Sequence, residues 1–270
     1  MTGARGLGVG PAGRLVPDCR KAGGVASFPG VREPLARVRS AVFQLAARGA
    51  AVSALYHRAR LLGDEHLPRS GPVLLVGNHG VWGYETPAFF HLLHRVTGRH
   101  PLGLAERGFF RIPLVRTVLP WLGGVEGTRD KALEALRAGA LVVCYPGGAH
   151  EVFKRPPGRY QLRWERALGF ARLAARARVP VVPFAGFGVD DTFIWPPGEA
   201  RLGLRLREGD KYRLPLMVGL GPLPLPVRLT FAVGPPQEPP PPDASDSGLA
   251  AWRERVAASV RLMLVRARNA

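Results

Sequence analysis

Residues 140–151 read Ala140-Leu141-Val142-Val143-Cys144-Tyr145-Pro146-Gly147-Gly148-Ala149-His150-Glu151. The run up to Tyr145 is apolar and carries β-branched residues, and a proline and two glycines stop it. That is the pattern of a short strand buried on both faces. Upstream, Asp130 to Arg137 has helical spacing and ends at Gly139, where a left-handed cap is cheap for glycine. Downstream, Arg163 to Arg178 predicts a strongly amphipathic helix, leading through Pro180 into a second apolar strand at 181–184. Further out, Pro72-Val73-Leu74-Leu75-Val76 lies between Gly71 and Gly77 and predicts another buried strand, with a helix over 87–97. Residues 101–105 read as a short strand and 114–122 as helical. Strands alternating with helices define the α/β class: a single layered domain with a mostly parallel or mixed central sheet flanked by helices.

The flanks are less regular. Residues 34–62 have helical spacing with arginines between the apolar positions, so N-terminal amphipathic helices are expected, and Gly49 suggests a break into two. Such a stretch suits either a membrane interface or packing on a core. Residues 201–242 are cut by many prolines and predict β-edge or loop structure. A last amphipathic helix is expected over 249–268. Residues 1–32, rich in Gly, Arg and Pro, read as a disordered leader, and 33–270 as one domain whose motif core spans about 70–190. Gly8, Gly10 and Gly13 match a GxGxxG string, but no strand precedes them and Pro11 interrupts them, so no dinucleotide site is inferred.

Thirty-eight Lys and Arg against 20 Asp and Glu give a formal charge of +18 over 270 residues. That excess favours a polyanionic partner: nucleic acid, an anionic lipid surface or a phosphate-bearing substrate. The two cysteines, Cys19 and Cys144, form no CxxC pair, so neither a zinc site nor a disulfide framework is indicated. His91 and His94 lack further metal ligands and read as packed or surface residues. No window offers the roughly 20 uninterrupted apolar residues of a membrane span, and no compact apolar core marks a signal peptide.

Four short strings carry possible chemistry. In Gly77-Asn78-His79-Gly80-Val81-Trp82-Gly83-Tyr84-Glu85, a histidine follows a buried strand, where α/β folds keep their sites. A carboxylate six residues on can fold back onto one imidazole nitrogen and raise the basicity of the other. Gly127-Thr128-Arg129 precedes a helix and resembles a phosphate site. Pro146-Gly147-Gly148 lets backbone approach a ligand and leaves amides to face an anion, while Glu151 can accept a hydrogen bond from a hydroxyl or order the loop. His150, within that string, is a candidate substrate contact. Val179 to Phe184 is rigid enough to wall an apolar slot. Taken singly, each string is also explained by an ordinary turn, cap or core strand.

In this order the strings resemble the glycerolipid (lysophosphatidate-acyltransferase-like) acyltransferase superfamily. His79 matches its catalytic histidine; Gly123 and Arg129 match its second block; Pro146, Gly147, Gly148 and Glu151 its third; Val179 to Pro183 its fourth. The family's aspartate would fall at Tyr84, and the carboxylate comes one residue later as Glu85, with Gly83 free to loop out. Pro-Gly-Gly in the third block, Gly169 to Ala174, and Gly188-Val189-Asp190-Asp191 look like the diacylglycerol acyltransferase and phytyl ester synthase branch.

The resemblance implies an acyltransferase with His79 and Glu85 as the catalytic pair and Asn78, Gly123, Thr128, Arg129, Pro146, Gly147, Gly148 and Glu151 at the substrates. It implies a fatty acyl group moved from acyl-CoA or an acyl-carrier protein to a lipid hydroxyl, with no metal and no cofactor beyond acyl-CoA as co-substrate. It further implies an anionic membrane surface as partner, a peripheral location on the cytoplasmic face, and no nucleic acid. The rivals are a lipid hydrolase, for which no Gly-x-Ser-x-Gly elbow is present, a basic nucleic-acid-binding protein, for which no recognition string is present, and a lipid-binding relative without catalysis.

Overall fold

The computed structural model describes residues 33–152, 154, 158–195, 218–220 and 223–270. The expected leader over 1–32, with Cys19 and the GxGxxG string, and residues 201–217 of the proline-rich stretch lie outside the described residues. The chain divides into two compact units, Met1–Val42 and Phe43–Ala270. Of the first, only the start of helix α1 (Glu33–Tyr56) is described, and that helix continues into the second unit without a break at Gly49. The expected pair of helices is therefore one.

The second unit is built on a seven-stranded sheet in the order β1-β7-β6-β2-β5-β3-β4. The strands are β1 (Arg60–Leu62), β2 (Val73–Gly77), β3 (Leu102–Ala105), β4 (Gly124–Glu126), β5 (Leu141–Cys144), β6 (Val181–Phe187) and β7 (Thr230–Val233). All neighbours are parallel except β6 and β7. The sheet is thus mixed: β1 and β7 run against the other five. The expectation of an edge or loop after residue 201 is corrected by β7, which lies inside the sheet between β1 and β6. Its four residues are all buried, and the prolines stand outside them, at 224 and 226 before and 235 and 236 after.

Side-chain alternation along each strand divides the core in two. Leu74, Val76, Val142, Val181 and Ala185 face α4 (Arg129–Arg137), α6 (Gly169–Ala177) and α7 (Asp246–Arg268). Val73, Leu75, Leu141, Val143, Val182 and Phe184 face α2 (Glu85–Thr97) and Ala54 of α1. With helices on both faces, the central strands read as continuous apolar runs, which is why they were legible in the sequence.

Helix α6 is shorter than its periodicity suggests, beginning at Gly169 rather than Arg163. Residues 163–168 are drawn into tertiary contacts instead: the Arg163 amide donates to Glu151, Trp164 is buried, and the Arg253 guanidinium donates to the Glu165 carbonyl.

This topology fixes where a ligand can reach the sheet. The connection leaving β2 carries α2 on one face and leads towards β3. The connection leaving β5 carries α6 on the other face and leads to β6. Adjacent parallel strands whose connections part in this way open a crevice at their carboxyl ends. The segments that follow these strand ends are 78–84 after β2 and 145–152 after β5.

Candidate active site

Both loops are held by buried polar contacts. Asn78 donates from Nδ2 to the Gly186 carbonyl (3.0 Å) and accepts at Oδ1 from the Gly186 amide (2.8 Å), so its amide is fully engaged in joining β2 to β6. Asn78, expected among the substrate-contacting residues, here ties the ends of β2 and β6 together. The His79 amide then donates to Glu151 Oε2 at 2.9 Å.

Beyond His79 the chain makes a tight loop. Trp82 and Gly83 take φ of +56° and +70°, the left-handed region that bulky residues avoid. Two such residues in succession reverse the chain so that Glu85 opens α2 with its carboxylate facing back. Glu85 Oε1 lies 2.7 Å from His79 Nδ1 and accepts from the Gly80 amide at 3.0 Å. The glutamate side chain is 2% exposed and the imidazole 18%. The first turn of α2 adds the positive end of a helix dipole to what holds this buried charge. The one-residue displacement from Tyr84 to Glu85 is therefore absorbed by the turn at 82–83. With Nδ1 facing a carboxylate, Nε2 is the nitrogen that can meet a substrate.

The ring is flanked by Tyr145, which stacks on it at 3.9 Å between centroids and 8° between planes. The Tyr145 hydroxyl sits 3.3 Å from Thr86 Oγ1, and burial, reinforced by the Glu85 charge, pushes it well above the ordinary phenol range. It stays neutral and caps one face of the imidazole. Sequence reasoning assigned Tyr145 no role, and its position directly after β5 and before Pro146 was the available signal.

The 146–148 turn serves Glu151. Gly147 is packed so closely that a Cβ there would lie 2.3 Å from Glu151 Cγ and Cδ, which explains a glycine in chemical terms. Gly148 adopts φ +49°, and its amide donates to the Tyr145 carbonyl at 3.0 Å, so that amide closes the turn. Half-buried Pro146 starts it. Both Glu151 oxygens are occupied, by the amides of His79 and Arg163 (2.9 Å each). Glu151 orders the loop, the second of its two expected roles. Burial raises its carboxyl above the ordinary range, opposed by nearby Lys154 and by those two amides.

A buried ion pair lies beneath, one that sequence reading did not isolate. Lys154 Nζ is 2.9 Å from Asp190 Oδ2, with the two side chains 0% and 1% exposed. Asp190 Oδ2 also accepts from the Tyr160 amide at 2.6 Å. The Tyr160 hydroxyl donates to Asp191 and accepts from the Gly188 amide. Burial raises the Asp190 carboxyl, Lys154 draws it back down, and Glu85 adds to the rise. Glu85, Glu151, Asp190, Lys154 and His79 thus form one electrostatic neighbourhood. The Gly-Val-Asp-Asp string at 188–191 belongs to it.

The second-block residues are placed apart from this cluster. Gly123 precedes β4 and approaches Pro101, which precedes β3; both stand at the edge of the sheet opposite His79. Gly123, expected among the substrate-contacting residues, thus lies away from the His79–Glu85 pair. Its φ of +86° and the bond from the Gly103 amide to its carbonyl give it a turn-forming role. Thr128 caps α4 by accepting from the Lys131 amide at 3.3 Å. Arg129 is exposed and lines a small cavity with Leu133, Arg172, Leu173 and Arg176, between α4 and α6. Among the described residues it shares no hydrogen bond or ion pair with His79, Glu85 or the 146–148 turn. His94 stacks on His100 at 4.6 Å between ring centroids. Burial pushes the Cys144 thiol up to about 12, so it offers no thiolate nucleophile at neutral pH.

The fold is thus an α/β sheet with a His–carboxylate pair at the carboxyl ends of adjacent parallel strands, the place where such sheets bind ligands. Comparison with known proteins narrows the reading. Residues 58–186 match the family model described as Acyltransferase. It is 30% identical over 176 residues to the human "DGAT1/2-independent enzyme synthesizing storage lipids", covering 65% of this chain and 53% of that protein. It is 34% identical over 134 residues to the chloroplastic phytyl ester synthase 2 of Arabidopsis thaliana, covering 47% of this chain and 19% of that protein. The chain thus spans about half the length of the human relative and a fifth of the plant one. The crystal structure of the 1-acyl-sn-glycerophosphate (LPA) acyltransferase PlsC from Thermotoga maritima shares the fold, with TM-score 0.50 and 17% identity over 86% of this chain and 84% of that one.

Proposed function

We propose that the protein transfers a fatty acyl group from a thioester donor to the hydroxyl of a lipid alcohol, with His79 as general base. The observation that carries this reading is the 2.7 Å contact between His79 Nδ1 and Glu85 Oε1, on a ring whose own amide is anchored by Glu151. In this mechanism Nε2 takes the hydroxyl proton while the alcohol oxygen attacks the thioester carbonyl. Glu85 holds the tautomer and stabilises the imidazolium. The tetrahedral intermediate collapses, the carbon–sulfur bond breaks, and the imidazolium returns its proton to the leaving thiolate. No covalent enzyme intermediate and no metal is needed.

Acyl-CoA is the proposed donor, its phosphates suited to a chain of charge +18, and an acidic acyl-carrier protein suits the same charge. The acceptor is proposed to be a neutral lipid alcohol of the diacylglycerol or long-chain alcohol kind, in line with the names of the storage-lipid and phytyl-ester relatives. Arg129, with Thr128 at the start of α4, is proposed for phosphate-bearing substrate parts. No described helix is long and apolar enough to cross a membrane, and peripheral attachment to the cytoplasmic face of an anionic membrane is proposed.

The test is a thioester assay with labelled palmitoyl-CoA and a panel of alcohols in detergent. Release of free CoA should require an alcohol. His79→Ala should lose about a thousand-fold or more in kcat, and Glu85→Gln about ten- to a hundred-fold with little change in KM. Alcohol-independent CoA release would point to hydrolysis, and an unimpaired His79→Ala protein would remove the proposed base.

A further inference from the structure

The connection between β3 and β4 departs from the usual burial pattern. A crossover in an α/β fold normally buries one apolar stripe against the sheet. Here residues 107–122 comprise a 3-10 turn (Arg107–Arg111), α3 (Pro113–Val118) and a second 3-10 turn (Leu119–Leu122), and none of the three contains a buried residue. Yet the sequence, Arg107-Gly108-Phe109-Phe110-Arg111-Ile112-Pro113-Leu114-Val115-Arg116-Thr117-Val118-Leu119-Pro120-Trp121-Leu122, is mostly apolar. Phe109, Ile112 and Leu114 are 51%, 50% and 74% exposed. Leaving such side chains in water forgoes a stabilisation that most crossovers collect.

The charges give the surface its character. Every charged residue from 107 to 125 is an arginine: Arg107, Arg111 and Arg116. All three are exposed, and none forms an ion pair among the described residues. The nearest acid downstream, Glu126, is already paired with Lys131 at 2.7 Å. Unpaired arginines among exposed aromatic and aliphatic side chains suit a surface that is apolar within and anionic at its rim. The position agrees. β3 is parallel to β5 and β5 to β2, so the crossover starts from the sheet edge that bears His79.

We infer that residues 107–122 form a docking surface for an anionic lipid membrane, Phe109, Ile112 and Leu114 entering the acyl region while Arg107, Arg111 and Arg116 engage the headgroup phosphates. The inference deepens the proposed lipid-alcohol acyl transfer and rests on that reading for its choice of lipid as occupant. It gives the His79 crevice a membrane-facing rim, so that an acceptor dissolved in the bilayer reaches it without crossing water.

The test is co-sedimentation of the full chain with phosphatidylcholine vesicles, with and without about one-third phosphatidylglycerol. Wild-type protein should bind the anionic vesicles and release from them as salt rises. Arg107→Gln/Arg111→Gln/Arg116→Gln should weaken that binding about a hundred-fold, on the basis of roughly a five-fold loss per arginine near an anionic surface. Phe109→Ser/Ile112→Ser/Leu114→Ser should weaken it about ten-fold or more. Both variants should keep wild-type turnover on a detergent-dispersed acceptor, which shows that the fold and site are intact. His79→Ala should bind vesicles as the wild type does, so failure of the catalytic reading and failure of the docking reading are read separately. Wild-type vesicle binding by either triple variant overturns the inference. So does a shift from dimer to monomer in the apolar variant with vesicle binding unchanged, which would make the face a contact between two copies of the chain.

Discussion

At the scale of single residues, the candidate site shows how a carboxylate and a histidine can be read from a sequence while their support cannot. His79 and Glu85 are near in the chain, and a six-residue spacing after a strand makes their meeting a local matter. Lys154 and Asp190 lie 36 positions apart and meet only because β6 returns beside β2. Nothing local marks Lys154 as buried; its environment is made by two loops that the sheet brings together. A cation removed from such a place leaves carboxylates without compensation, which commonly costs about 3–5 kcal/mol, whereas removing both partners together costs far less. Lys154→Met should therefore lower the midpoint of urea unfolding sharply and reduce the proposed acyl transfer. Lys154→Met/Asp190→Asn should recover much of the stability. A double-mutant cycle on unfolding free energies gives the coupling, and strict additivity would show that the two groups act independently.

At the scale of elements, the long buried strands were legible because both their faces are covered, so their composition is apolar throughout. The three-residue strands β1 and β4 were not, since Arg60–Leu62 and Gly124–Glu126 carry too few residues to show a period. The start of α6 was misplaced because periodicity continues through 163–168 while the backbone there is claimed by Glu151 and Arg253. The junction between α1 and β1 has its own chemistry. His57, 1% exposed, lies with Nδ1 3.0 Å from the Val227 carbonyl, and its own carbonyl accepts from the Leu229 amide. Burial lowers its pKa below 6.5, only partly offset by that carbonyl. The unfolded chain therefore binds the proton more readily, and stability rises with pH through the window below 6.5. The His57 contribution is fully present above 6.5 and is lost as pH falls towards the depressed folded value. Thermal unfolding measured from neutral pH to about pH 5 should show this decline, and His57→Asn, which keeps a donor for Val227, should flatten it. An unchanged slope in the variant would assign the acid sensitivity to other groups.

At the scale of the molecule, the sheet is completed by its latest strand, and its cover is completed by α7. Leu249, Trp252, Val256, Val260 and Leu264 of that helix enter the core beside α6 and β6. At about 1.5–3 kcal/mol for each large apolar side chain, their removal forfeits on the order of 10 kcal/mol, as much as a typical domain possesses. A chain ending before Asp246 should be recovered aggregated, or should lack the cooperative thermal transition seen by circular dichroism in the full chain. A soluble, cooperatively melting truncation would mean that the α7 face is dispensable. The same geometry bears on birth as well as endurance. Arg60 pairs with Thr230 across 170 positions, and β7 must slip between β1 and β6 to make that pairing. During synthesis on the ribosome, β1 waits exposed until the chain has emerged as far as residue 230, and through that interval its shielding falls to whatever chaperone or membrane the nascent chain meets first.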